Sequence, residues 1–98
     1  MFDILYDEAA EEDLRRLRPY DVRRVMNEVD AQLTKNPTVP GRRKKLLEGL
    51  LPPWDGVRPV WQLRVGDFRV FYDVDAERRE VAVRAVRRKG SKTTEGIL

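Results

Sequence analysis

The stretch Val60 to Asp75, VWQLRVGDFRVFYDVD, limits the possible folds of this chain more than any other. Apolar and polar residues alternate through Trp61-Gln62-Leu63-Arg64-Val65, pause at Gly66-Asp67 and alternate again from Phe68, the pattern of two strands joined by a tight turn. A period of two sends Trp61, Leu63, Val65, Phe68, Val70, Tyr72 and Val74 to one face and Gln62, Arg64, Arg69 and Phe71 to the other. The first face needs an apolar cover. Arginines in the middle of a sheet are costly to bury without partners, so the second face is expected to stay open to an anion.

The segments on either side supply the cover. Phe2 to Tyr6 reads as a short strand, and Asp7 is placed to cap a helix running through Glu8 to Leu17, with acids in its first turn and arginines in its last. Pro19 interrupts that helix and Asp21 is expected to cap the next, in which Val22, Val25, Met26, Val29 and Leu33 recur at three- and four-residue steps as far as Asn36-Pro37. The two helices form an antiparallel hairpin. From Thr38 to Pro59 the prolines and glycines predict a connector without a regular element, with Leu46, Leu47 and Leu50 docking on the core.

After the central hairpin, Ala76 to Arg79 makes a turn and Glu80 to Val86 a last strand, with Val81, Val83 and Ala85 facing the core and Arg84 joining Arg64 and Arg69 on the open face. The expected architecture is α+β: an N-terminal strand and a two-helix hairpin packed on one face of a small, mostly antiparallel four-stranded sheet. Residues 1–98 form one domain, with a tail that loosens from about residue 90.

The charge is divided unevenly. Residues 1–34 hold five Lys/Arg and nine Asp/Glu, whereas residues 35–98 hold fifteen and eight, so the sheet half is the basic half. Segregation of this kind attracts polyanions, because each neutralised phosphate releases counterions; a merely solvated arginine-rich surface is the plain alternative. Arg43, Lys44 and Lys45 belong to a basic run that is either a phosphate contact or a solvated loop, and the same choice applies to Arg87, Arg88, Lys89 and Lys92 at the exit of the last strand. With no Cys and no His, the chain offers neither a thiolate nor an imidazole, so no metal site or cofactor is expected and any catalysis must use Lys, Arg, Tyr or carboxylates. No basic-then-apolar leader and no apolar run long enough for a bilayer are present, which predicts a cytoplasmic protein with no membrane partner.

Three segments carry a family resemblance: Lys45-Leu46-Leu47-Glu48-Gly49-Leu50, the hairpin from Trp61 to Tyr72, and Val83-Arg84-Ala85-Val86-Arg87-Arg88-Lys89. In their order along nearly the whole chain they resemble the RelE/ParE superfamily of toxins from bacterial and archaeal toxin–antitoxin pairs. The resemblance implies a RelE-like fold, a cognate antitoxin in a hetero-oligomer, and one of two activities: ribosome-dependent cleavage of mRNA, or poisoning of DNA gyrase. A catalytically inert homologue serving only antitoxin and operator binding is the third possibility.

For the nuclease branch, the 2′-hydroxyl attacks the adjacent phosphate without a metal and leaves a 2′,3′-cyclic phosphate and a 5′-hydroxyl. Arg69 matches the family arginine of the third strand, Lys89 matches its basic residue after the last strand, and Arg64 shares the face of Arg69; these three are the expected catalytic group. Arg84, Arg87, Arg88, Lys92, Arg43, Lys44, Lys45 and Gln62 are the expected RNA and phosphate contacts. The chain departs from the nuclease pattern where Val60 and Gln62 stand in place of lysines, and where residues 87–95 contain neither Tyr nor His.

Overall fold

The computed structural model describes residues 1–90. Its elements are β1 (Asp3–Tyr6), α1 (Glu8–Arg15), α2 (Pro19–Leu33), β2 (Lys44–Leu47), β3 (Val60–Val65), β4 (Phe68–Asp75) and β5 (Glu80–Arg88). The strands form one five-stranded sheet in the order β1-β5-β4-β3-β2, antiparallel except that β1 runs parallel to β5. A parallel neighbour needs a crossover; here the chain from β1 reaches β5 only after both helices and the three middle strands.

The central hairpin follows its sequence pattern closely. Gly66 opens the two-residue turn with φ 58°, the left-handed conformation that glycine adopts without a steric penalty at the first position of a II′ turn. Trp61, Leu63, Val65, Phe68, Val70 and Tyr72 pack with Val81, Val83 and Val86 beneath Ala10, Leu14, Val25, Val29 and Leu33 of the helices. Tyr72 lies fully inside this layer, and its hydroxyl donates to the Pro37 carbonyl at 2.7 Å, so the one polar atom it buries is satisfied. Asp7 caps α1 by accepting from the Ala10 amide at 2.8 Å.

Four local expectations are corrected. The sheet has five strands because Lys44–Leu47, read as connector, pairs antiparallel with β3; an alternating pattern four residues long is too short to stand out beside so many prolines. The second helix starts at Pro19, with Arg18 as its cap residue and Asp21 inside the first turn, because proline is tolerated where the amide has no helical partner. Ala85 faces away from the helices. The register passes from Phe71–Ala85 to Tyr72–Val83, so Arg84 is an extra residue on β5, and this bulge reverses the facing of the residues that follow. The face opposite the helices is also not open along its whole length: Val60, Phe71 and Ala85 form a second small core there beneath Leu47, Leu50 and Trp54.

Candidate nucleic-acid interface

The second core divides the non-helical face into two ends. At one end Arg64 and Arg69 are direct cross-strand partners, which sequence alternation alone dictates once the Gly66-Asp67 turn sets the register. Arg87 is the register partner of Arg69 on β5, and the Arg43 carbonyl accepts from the Arg64 amide at 2.7 Å, so four arginines stand in one row across the sheet. The carbonyl of Asp67 accepts from the Lys89 amide at 2.8 Å, which ties the exit of β5 to the turn and brings Lys89 to the same end.

Arg42, Arg43, Lys44, Lys45, Gln62, Arg64, Arg69 and Lys89, with Gly41, line a depression of about 250 Å³. No carboxylate lines it. Like charges placed directly opposite one another repel, and a bound anion would relieve that repulsion. Arg69 shows the strain: burial, then the neighbouring Arg64, lower its pKa, while Asp67 opposes them. Its guanidinium is satisfied by main-chain oxygens, donating to Gly66 at 2.8 Å and Phe68 at 2.9 Å, so its charge meets no close counter-ion. Arg64 and Lys45 are exposed.

Other cations assigned to this site from the sequence lie elsewhere or are engaged. Arg84 does not share the surface of Arg64 and Arg69. It donates to Asp73 from Nε at 2.8 Å and Nη2 at 3.3 Å and reaches Asp7 at 3.4 Å, and its pKa is raised chiefly by the hydrogen bond to Asp73. Gly56 backs onto this pair, where a β-carbon would collide with Asp73.

Lys44 is buried, and its ammonium donates to the Asn36 carbonyl at 2.7 Å and the Gln32 carbonyl at 3.1 Å beyond the end of α2. Those are orphan carbonyls of a helix terminus, and burial lowers the Lys44 pKa. Arg43 reaches Glu28 at 3.0 Å. Arg87 contacts Asp13 on α1, and Arg88 lies 4.6 Å over the Phe68 ring and 3.8 Å from Asp67. Gln62 is buried at the floor of the depression. Lys92 lies outside the described residues.

Sequence reasoning missed Arg42, although it belongs to the same basic run, and it missed the three carboxylates that engage arginines. For Asp73 a signal existed, since strand alternation places it on the face of Arg84; Asp7 and Asp13 act across long sequence separations. Among the described residues no group of three or more His, Cys, Asp or Glu is placed to hold a metal ion, and no helix is long and apolar enough to cross a membrane.

Comparisons with known proteins follow from this geometry. Residues 4–92 match the family model described as ParE toxin of type II toxin-antitoxin system, parDE. The fold is similar to the archaeal RelE–RelB complex from Pyrococcus horikoshii OT3, with a TM-score of 0.71, 21% identity and coverage of 92% of this chain and 97% of that one. It is similar to RelE in the intact Escherichia coli RelBE complex, with a TM-score of 0.66, 19% identity and coverage of 88% and 94%. The Mycobacterium tuberculosis RelBE2 complex gives a TM-score of 0.66 at 22% identity, covering 87% and 94%. No curated protein matches in sequence.

Proposed function

The chain belongs to the ParE toxin family of type II toxin–antitoxin systems and is the toxin of such a module; we propose that its target is mRNA in the ribosomal decoding site, cut without a metal. The observation that carries this reading is the opposed pair Arg64 and Arg69, with the Arg69 charge held by carbonyls alone in a depression without acids. A phosphodiester is the anion that such a pair suits. The forked guanidinium of Arg69 takes two phosphate oxygens and stabilises the charge that builds as the RNA 2′-oxygen bonds to phosphorus and the bond to the 5′-oxygen breaks. Lys89, at the rim, removes the 2′-hydroxyl proton, and the departing 5′-oxygen takes up a proton to leave as a hydroxyl, opposite a 2′,3′-cyclic phosphate. Action on the ribosome makes the protein cytoplasmic.

Two observations favour gyrase inhibition as the second reading: the matching family model is the ParE one, and the depression contains no carboxylate, imidazole or phenol for proton transfer. Sequencing RNA ends after induced expression separates the two. Cuts within translated codons support mRNA cleavage. DNA breaks with intact mRNA support the gyrase reading, and neither lesion leaves an inert homologue that works only with its antitoxin at an operator.

A cognate antitoxin covers the helices and the sheet edge in a hetero-oligomer, with its acidic residues on the basic depression. Supporting this is a groove of about 570 Å³ between α1 and α2, floored by Tyr6, Leu14, Leu17, Val22 and Met26 and edged by Arg15 and Arg23. An amphipathic segment that folds on binding suits such a groove. Co-expression with the adjacent small reading frame restores growth if that frame encodes the antitoxin.

A further inference from the structure

We infer that Asp13 is a positioning residue that withholds Arg87 from the basic depression and so sets how many cations the site presents to phosphate. The inference rests on the polyanion-binding reading above and adds to it a control on the strength of that binding.

β1 accompanies β5 only from Glu80 to Val83, so beyond that point β5 has no strand on this side and its amides need another acceptor. Asp13, buried on α1, fills the gap: its Oδ2 accepts from the Val86 amide at 2.9 Å and also contacts the Arg87 guanidinium. The backbone of Arg87 belongs to the row with Arg64 and Arg69, yet its side chain is drawn to the helix, and Arg87 is absent from the lining of the depression while Lys89, two residues on, is present. A carboxylate that only had to cap the edge amide would work equally well as an amide oxygen. The negative charge is what holds Arg87.

The test compares wild type with Asp13→Asn, Arg87→Ala and the double variant, using a fluorescein-labelled single-stranded oligoribonucleotide. Asp13→Asn keeps an acceptor for the Val86 amide and drops the charge. Its slope of log affinity against log salt is expected to steepen by about 0.7, the change for one added phosphate contact on a single strand. Arg87→Ala alone leaves the wild-type slope unchanged, and adding it to Asp13→Asn abolishes the gain.

Arginine-selective dicarbonyl labelling, read by peptide mass spectrometry, tests the grip without any nucleic acid. Arg87 is expected to label more slowly than Arg64 in wild type and to accelerate in Asp13→Asn. Equal labelling of Arg87 and Arg64 in wild type, or a shallower slope for Arg87→Ala alone, overturns the inference. Slow Arg87 labelling in a protein that binds no RNA leaves the grip on Arg87 standing and rejects the polyanion reading. Should Asp13→Asn fail to fold in a thermal melt, the Arg87→Ala slope and wild-type labelling still decide.

Discussion

Arg69 and Arg84 project from neighbouring strands of one sheet, and the two ends of the non-helical face treat them in opposite ways. Arg84 meets two carboxylates, which raise its pKa despite burial, whereas Arg69 meets carbonyls and another arginine, which with burial lower its pKa. The lesson is that formal charge does not equal available charge. An arginine with carboxylate partners holds the protein together, and one without them is left for a ligand.

The largest effect is expected where this contrast is broken at the structural end. Arg84→Ala strands Asp73, only 2% exposed, as an uncompensated buried charge; stability should fall by about 3–5 kcal/mol, read from chemical denaturation. Replacing both partners with apolar residues, Arg84→Met with Asp73→Leu, should recover most of that loss, since two similar-sized apolar groups need no counter-ion. If Arg84→Ala melts like wild type, the ion pair is not what holds this end.

At the other end the effect should fall on activity. Arg69→Ala removes a forked donor from the proposed phosphate site at about 2.7–4 kcal/mol in the transition state, roughly 10²- to 10³-fold in rate, with growth inhibition on induction as the readout. Its stability should change by only about 1 kcal/mol, because the lost bonds go to a half-exposed turn. Arg69→Lys should rescue partly, keeping charge and losing the fork. Full toxicity in a folded Arg69→Ala protein would remove the residue from the site.

Lys44 sharpens the comparison from within the depression, because it lines the cavity but spends its charge on the end of α2. Lys44→Met is expected to cost about 1–3 kcal/mol in a thermal melt while toxicity persists. Loss of toxicity without loss of stability would place Lys44 among the phosphate contacts instead.

The smallest effect concerns alkaline pH. Burial, with help from Asp30, pushes the Tyr6 hydroxyl up to about 12, and burial raises Tyr72 as well, from an ordinary value of 10. The unfolded chain therefore loses these protons first as pH rises. The protons' contribution to stability is complete below pH 10 and drains away as pH climbs through about 12. Tyr72→Phe should lower stability near neutral pH by about 1 kcal/mol and make the decline above pH 10 shallower, measured by denaturation at a series of pH values.

Local pattern was enough to place α1, α2, β1 and the three long strands, because hydrophobic period and turn residues act over a few neighbours. The Asp7 cap and the core face of the central hairpin were legible for the same reason. So was the opposition of Arg64 and Arg69, which a two-residue turn fixes by itself. Everything that depended on a partner distant in sequence was not: β2 forms because β3 offers it a ladder, and the Arg84 bulge turns Ala85 to the second core, where Phe71 and Trp54 accept it. The fate of each cation was decided the same way. Asp73 and Asp7 take Arg84, Asp13 takes Arg87, and the carbonyls at the end of α2 take Lys44. A sequence declares how many charges a chain carries; which of them remain free depends on the folded arrangement, because an ion pair forms only where two groups come within a few ångströms.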